Sequence, residues 1–393
     1  MAEATCAGCG CACDDIEVTV AEGRLAGLTR TCPLGDAWFA ERTVDRPPVA
    51  SVDGRAVGVD DAVDAAAAIL RQARAPLVYG LGGTSCEAQR RAVALAEAIG
   101  AVIDPAGGGA ATLAYQAIGS STATFGEIRD RAELVLAWRA DPAVTNPRLL
   151  GRLRVASRAL VVVDASRTAT AEEADAFVEL DAAADFEALW ALRALVRSAP
   201  LDRERAGALP LGALDDLAQR LVGGRHVALL YGAVDELSAL ALFELVGDLS
   251  RDRHAVTLGL RGDGNARGAE DVLAWQTGFP AAVSFARGHP RANAGEFSAA
   301  ALLERGDVDA ALVVASDPLR QLPGLRELPI VVVDARATAT AAAARVAFAP
   351  AADGVEVAGT GHRMDGVPVP LRAPLARERT TAEDVLAAIA ERV

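Results

Sequence analysis

The sequence predicts an α/β protein with two related Rossmann-like units, each built on a parallel sheet, behind a small N-terminal cysteine-rich β module. Three observations carry that prediction. Short runs of Leu, Val, Ile and Ala, such as Leu134–Ala137, Leu160–Val163 and Ile330–Val333, alternate with helical stretches. Continuous apolar runs of that length suit strands covered on both faces. A pattern of such runs then occurs twice along the chain. Finally, five of the six cysteines stand within the first 32 residues.

The repeat is legible in the letters. The stretch Pro76–Gly80 is echoed by Val227–Gly232, and Leu134–Pro142 by Ala311–Pro318. Leu160–Thr170 returns almost letter for letter as Ile330–Thr340. Asp141 and Asp164 are 23 positions apart and Asp317 and Asp334 are 17 apart, the difference an insertion between helix and strand makes. The expected organisation is a cysteine module over 1–50, a first α/β unit over 51–180, a second over 181–345, and a C-terminal segment, 346–393, returning to the core.

The individual elements follow in order. Ile16–Val20 and Leu25–Thr29 flank Glu22 and Gly23, a β-hairpin signal. Asp36–Val44 reads as a short helix and Arg46–Val49 as a linker. Asp60–Ala73 is a helix with acidic residues in its first turn, where the helix dipole favours them. Pro76–Gly80, Leu81–Gly83 and Cys86–Ile99 read as strand, glycine turn and helix; the glycines fall short of a full dinucleotide fingerprint. Ala184–Ser198 has the helical spacing of a core-facing helix, with Phe186, Leu189, Trp190, Leu192 and Leu195 on one side.

Composition excludes several functions. The net charge of −14 disfavours nucleic acid and anionic membranes, and aromatic content of 4% leaves few stacking platforms. All 39 basic residues are arginine, so neither a Schiff-base lysine nor the lysine of a P-loop is available. No apolar run approaches the roughly 20 residues of a membrane span, and no signal peptide is evident, so a cytoplasmic protein is expected.

Chemistry concentrates in the first stretch. Cys6, Cys9 and Cys13 are spaced C-x2-C-x3-C, and Cys32, followed by Pro33, comes after eighteen further residues. Three thiolates on one tight loop and a fourth from a returning strand suit a [4Fe–4S] cluster. A structural zinc with four cysteine ligands and a set of plain reduced thiols also satisfy the spacing. Cys11, between the others, reads as a bystander. Elsewhere, Asp141, Asp164, Asp317 and Asp334 stand at strand ends, the side on which open parallel sheets bind ligands; each is equally a turn or helix-cap aspartate. Arg261, Asn265, Arg267 and Gly268, then Arg287, His289 and Arg291, form glycine-rich arginine stretches able to approach phosphates, or ordinary surface loops.

These pieces together resemble the B subunit of formylmethanofuran dehydrogenase: Cys6-x2-Cys9-Gly-x-Ala-Cys13-Asp-Asp-Ile, Arg261-Gly-x-Gly-Asn265-x-x-Gly268, Thr277-Gly-Phe-Pro280, Arg287-Gly-His289-Pro-Arg291, Ala315-Ser-Asp317-Pro318, and His362-Arg-Met-Asp365-Gly-Val-Pro-Val. The resemblance runs end to end. It implies a molybdopterin oxidoreductase-like fold, with Cys6, Cys9, Cys13 and Cys32 as [4Fe–4S] ligands. Arg261, Asn265, Arg267, Gly268, Asp164, Asp317, Asp334, Arg287 and His289 would face a tungsten or molybdenum bis(pterin guanine dinucleotide). One departure weighs against that cofactor. The family's metal-ligating cysteine would fall near Gly107, and Pro105–Gln116 contains neither Cys nor His. Thiolate ligation has no replacement donor there. Cys86, at a helix start, is a conceivable substitute ligand but reads as an ordinary buried thiol.

With that departure the chain is most similar to the bacterial B subunit of the formyltransferase/hydrolase complex. The resemblance then implies a non-catalytic scaffold in tetrahydromethanopterin- and methanofuran-linked one-carbon metabolism, the cluster retained and the pterin ancestral and lost. Its partners would be an amidohydrolase-type A subunit, a C subunit and a formyltransferase subunit, which together release the formyl group as formate. The alternatives are an active pterin oxidoreductase interconverting CO2 or formate with formylmethanofuran, and a nucleotide-binding regulatory domain, in which the cysteine module has no place.

Overall fold

A computed structural model describes residues 2–106 and 109–393. The chain is mixed α/β with parallel sheets and divides into two units, 1–108 with 263–393, and 109–262.

The larger unit is organised on a nine-stranded sheet. Its parallel centre runs Val102–Asp104, Pro76–Gly80, Ala310–Val314, Ile330–Val333, Val346–Phe348. Antiparallel strands close both edges, with Ala50–Val52 and Arg55–Ala56 on one side and Val283–Ser284 and Arg291–Ala292 on the other. Side chains alternate as a pleated strand dictates. Val78, Leu312, Val314, Val331 and Val333 pack on the helices Val59–Gln72, Cys86–Ala98, Ala266–Thr277 and Ala382–Ala390. Leu77, Ala311, Val313, Ile330 and Val332 face the opposite layer, with Leu302 and Leu325. Both faces are covered, which is why these strands read as unbroken apolar runs.

The smaller unit carries a five-stranded parallel sheet in the order Ala176–Glu179, Ala159–Asp164, Leu134–Trp138, His226–Tyr231, His254–Gly259. Helices Asp185–Val196, Leu211–Gly223 and Glu236–Leu249 cover the face presenting Leu136, Trp138, Val161, Leu229 and Tyr231.

The two sheets cut across the divisions expected at residues 180 and 345. The first strand of each sequence repeat lies beside the second strand of the other, with the third strand one place beyond. Pro76–Gly80 pairs with Ala310–Val314, and His226–Tyr231 pairs with Leu134–Trp138. Each sheet is therefore a composite of both copies. Periodicity could not show this, because two apolar parallel strands of equal length offer the same face to either neighbour.

The cysteines lie in a separate three-stranded antiparallel sheet, Ala2–Cys6, Cys13–Ala21 and Arg24–Thr29, followed by the helix Pro33–Thr43. Its hairpin turns through Glu22 and Gly23, both left-handed (φ 50° and 74°), the backbone of a two-residue hairpin turn. Among the described residues no helix is long and apolar enough to cross a membrane.

Candidate functional site

Cys6 and Cys13 are brought opposite each other where the first two strands of the small sheet meet, and Cys9 and Cys11 lie on the loop between them. Cys32 is the residue before the first turn of the helix Pro33–Thr43. Cys6, Cys9, Cys11 and Cys13 are buried and Cys32 is partly exposed. Burial pushes the Cys6 thiol up to about 12, against a hydrogen bond from Gly8, and the charges of Cys13, Cys9 and Cys32 push the same way. Cys11 is held still further above its ordinary value, by hydrogen bonding with Cys13 and Cys9 and then by burial.

Two glycines shape the pocket around these sulfurs. A Cβ on Gly35 would stand 3.2 Å from Cys6 Sγ and 2.4 Å from Thr31 Oγ1, and one on Gly8 would stand 3.4 Å from the same sulfur. Distant parts of the same unit hold the loop. The Met364 amide donates to the Gly10 carbonyl at 2.9 Å, Thr5 Oγ1 donates to Pro370 O at 2.6 Å, and a Cβ on Gly264 would stand 2.3 Å from Ala7 O. So the hairpin Gly359–His362/Pro368–Leu371 clasps the cysteine loop from the far end of the sequence. Gly8 and Gly35 keep the space beside the Cys6 sulfur clear, and four thiols are the donor set a polynuclear centre takes. Among the described residues no three Cys, His, Asp or Glu are grouped to hold a metal ion. Four thiolates on one zinc would need sulfurs about 4 Å apart, from Zn–S bonds near 2.3 Å; a cluster holds them farther apart.

The strand-end aspartates are engaged within the fold. Asp141 Oδ1 accepts from the Thr170 amide and hydroxyl at 2.8 and 2.6 Å, and Asp317 Oδ1 accepts from the Thr340 amide and hydroxyl at 2.8 and 2.5 Å. Each ties one strand end to a helix start in the next connection. For Asp317, burial raises the carboxyl but the bonds from Thr340 and Ala339 hold it below its usual range. Asp164 lies 3.5 Å from the Arg139 guanidinium, which also forks onto buried Asp185 at 2.5 and 2.9 Å. Asp334 is gripped by Arg336 at 2.8 and 3.0 Å.

Asn265, buried at 2% exposure, is a knot in the larger unit. Its amide donates to Thr84 O at 2.7 Å, and its carbonyl oxygen accepts from the His362 amide at 2.7 Å. Gly268 is required beside it, since a Cβ there would stand 2.0 Å from Asn265 Oδ1 and 3.0 Å from Cys86 Sγ. Cys86 is buried, and burial raises its thiol to about 11. Arg267 Nε donates to both carboxylate oxygens of Asp271, at 3.0 and 3.1 Å, and Asp271 accepts from His362 Nδ1 at 2.7 Å. Arg287 and His289 stand exposed on a turn, where His289 Nδ1 is 3.2 Å from Arg287 O. Arg261, in the smaller unit, accepts from Asn146 Nδ2 at its carbonyl, 3.1 Å away. Gly107, where the family's ligand would fall, lies outside the described residues.

Sequence reading passed over Asp263, which fills the glycine turn. Cβ atoms on Gly82 would stand 2.8 Å from its side chain, and on Gly83 2.6 Å from Ala315 O. Asp263, Trp38, Arg42, Gly8, Gly83 and Arg336 line a cavity of about 160 Å3. Burial raises the Asp263 carboxyl, and the nearby Arg336 and Arg42 charges oppose it. Its place between Gly262 and Gly264 was the available signal.

No family model matches the chain. Curated relatives and solved structures do. The chain is 32% identical to the B subunit of the tungsten-containing formylmethanofuran dehydrogenase 2 of Methanocaldococcus jannaschii, over 93% of this chain and 92% of that one. It is 31% identical to the B subunit of the formyltransferase/hydrolase complex Fhc of Methylorubrum extorquens, over 68% and 74%. A chain of the crystal structure of the formyltransferase/hydrolase complex FhcABCD of that organism, in complex with methylofuran, superposes with a TM-score of 0.74 at 29% identity, over 87% of this chain and 98% of that one. Acetylene hydratase from Pelobacter acetylenicus shares the fold alone, with a TM-score of 0.70 at 15% identity over 100% of this chain and 69% of its own. On the identity and coverage of its curated relatives, this chain belongs to the family of formylmethanofuran dehydrogenase B subunits.

Proposed function

We propose that this chain is a non-catalytic B subunit that holds partner subunits together in a formyltransferase/hydrolase-type complex, releasing formyl groups from a methanofuran-like carrier as formate. The observation that carries this reading is the engagement within the fold of five of the residues a pterin dinucleotide would need. Asn265, Arg267, Asp164, Asp317 and Asp334 are bonded within the fold, and the Asp263 side chain lies against Gly82 of the glycine turn. An incoming pyrophosphate would meet the Asp263 carboxylate, of its own charge sign, beside the glycine turn. The absence of Cys and His from 105–116 agrees. The residues do not fit a bis(pterin guanine dinucleotide).

The cysteine module fits a [4Fe–4S] cluster, which Cys6, Cys9, Cys13 and Cys32 would hold. When bound, it would supply either one-electron chemistry or a structural clamp for a small module that has little core of its own. The partners are an amidohydrolase-type A subunit, a C subunit and a formyltransferase subunit, as in the complex the chain resembles.

A second reading, an active tungsten or molybdenum oxidoreductase, is favoured by the longer match to the tungsten-containing relative. Purification of the complex without oxygen, with metal analysis and acid-released pterin measured together, separates the two. The scaffold predicts iron near four per chain, no tungsten or molybdenum, and no pterin. Either heavy metal near one per chain, with pterin, overturns it.

A further inference from the structure

The smaller unit has a recess of its own, on the sheet edge opposite the strand-end aspartates. It sits at the entry to three adjacent strands: Glu133, Arg158 and Asp175 stand one residue before Leu134–Trp138, Ala159–Asp164 and Ala176–Glu179. With Asp130, Arg131 and Arg220 they line a space of about 950 Å3. The three carboxylates are engaged within the fold. Asp130 is forked by Arg129 at 2.8 and 2.9 Å, Glu133 accepts from the Arg225 amide at 2.9 Å, and Asp175 accepts from the Leu160 amide at 2.7 Å. The guanidiniums are less well matched. Arg158 donates to the carbonyls of Arg129, Ala132, Leu153 and Arg154, which fix it in place but carry no net charge to cancel its own. Arg131, its side chain 62% exposed, is 4.0 Å from Glu127, which is itself 3.0 Å from His254 Nε2. Arg220, and Arg154, whose charge reaches Asp130, are exposed and form no ion pair among the described residues. Arg131 and Arg220 close the helices Phe125–Arg131 and Leu211–Gly223, where the dipole favours a cation. That accounts for a charge at each place. It does not account for Arg154 and Arg158, on either side of the turn Val155–Ser157, converging on the same recess.

We propose that this recess docks an acidic segment of a partner subunit, whose carboxylates pair with Arg131, Arg154 and Arg220 beside the fixed charge of Arg158. The proposal rests on the reading that the chain assembles with other subunits. A guanidinium takes a carboxylate through two parallel N–H bonds, so exposed arginines select carboxylates in particular. The charged rim of the recess is exposed and the space is wide, which suits an extended segment better than a small enclosed anion. The chain as a whole, at −14, repels an acidic partner. Unneutralised arginines on one edge therefore decide where such a partner lands as well as how it is held.

The test uses the full chain in its complex, as wild type, as the recess variant combining Arg131→Glu, Arg154→Glu and Arg220→Glu, and as a control combining Arg24→Glu, Arg55→Glu and Arg90→Glu. The control makes the same change of net charge on exposed arginines of the other unit. Thermal unfolding checks that each is folded, and Arg220→Glu alone carries the test if the triple variant is not. Retention of partner subunits is measured at about 0.1 M and about 1 M salt, where screening shortens from roughly 10 Å to 3 Å. The expected result is a partner held by wild type and control at the lower salt, released at the higher, and bound roughly tenfold more weakly by the recess variant. Full retention by the recess variant overturns the proposal, and so does an equal loss in the control. If wild type holds no partner, the assembly reading falls by itself, and binding of a dye-labelled oligo-aspartate peptide to the chain alone decides. Weaker binding by the recess variant than by the control supports the site. Equal binding overturns it, as does displacement of the peptide by inorganic phosphate at matched ionic strength, which would assign the recess to a small anion.

Discussion

The two parallel sheets present the same aspartate at the end of the same strand, yet neutralise it from different places. In the smaller unit Asp164 looks to Arg139, which follows the neighbouring strand Leu134–Trp138 and also holds buried Asp185. In the larger unit Ala315 occupies the position of Arg139, with the same left-handed backbone (φ 47° against 52°). There Asp334 takes its cation from Arg336, two residues along its own chain. Elsewhere the units agree in detail, since Asp141 to Thr170 and Asp317 to Thr340 are the same tie. The difference shows what the duplicated frame fixes and what it leaves open. It fixes the local hydrogen bonds at strand ends. The source of compensating charge is free to differ, and where alanine stands in place of arginine a cavity remains, lined by Ala315.

The largest effect that probes this comparison is loss of Arg139. Its side chain is 7% exposed and Asp185 only 3%, so Arg139→Met leaves a buried carboxylate unpaired. We expect a loss of about 3–5 kcal/mol in denaturant unfolding. Arg336→Met should cost about 2 kcal/mol, since that guanidinium is 22% exposed and water can partly replace it. Equal losses would mean the two cations are equivalent after all.

Next come the glycines that end the first strand of each sequence repeat. A Cβ on Gly232 would stand 2.0 Å from Arg139 O, and one on Gly80 2.5 Å from Val314 O with φ at 105°. Each Gly→Ala change should cost about 2–4 kcal/mol, read by thermal unfolding. A tolerated Gly232→Ala would show that its strand end has room to move.

The threonine ties sharpen the comparison from the side of likeness. Thr170→Val and Thr340→Val each remove one hydroxyl donor from an aspartate and keep the volume. Each should cost about 1–2 kcal/mol, and the two values should match. A twofold disparity in unfolding free energy breaks the equivalence of the connections.

The smallest effect is one of pH, within the larger unit. Burial alone would raise the Asp271 carboxyl, but the hydrogen bond from His362 and the charge of Arg267 hold it below its ordinary value. Its stabilising contribution is present above the unfolded value of about 3.9 and is lost as pH falls below it. Asp353 has the opposite sign. Burial raises it despite bonds from Thr84 and Ser85, so stability falls as pH rises from about 3.9 through its folded value. Unfolding free energies between pH 3 and 6 should therefore rise less steeply with pH in Asp271→Asn and more steeply in Asp353→Asn, each by about 1 kcal/mol or less across the range. Slopes changing in the same direction would contradict the assignment.

Much of this was legible in the letters and some was not. The strands could be read because burial on both faces leaves only apolar residues, as in Leu160–Val163 and Ile330–Val333. The helix starts at Thr168 and Thr338 show only in the structure, where each threonine caps the amide three residues ahead, Ala171 and Ala341. The thiols near the N-terminus were legible as a set by spacing alone. Asp263 was hidden because nothing in a glycine-rich loop says which side chain folds back into it. Arg139 was hidden because its partner Asp185 is 46 positions away.

By itself, the sequence determined the α/β class, the duplicated strand–helix pattern, the cysteine spacing and the family. All of these rest on local periodicity, on hydrogen bonds within a few residues, or on short motifs. Tertiary structure decided the rest. It exchanged the first strands of the two repeats, since parallel apolar strands carry no mark of their neighbour. It brought Met364 and Pro370 to the cysteine loop and Asp263 to Gly82. Such contacts join residues hundreds of positions apart, and their geometry exists only once the sheets have paired and fixed the register.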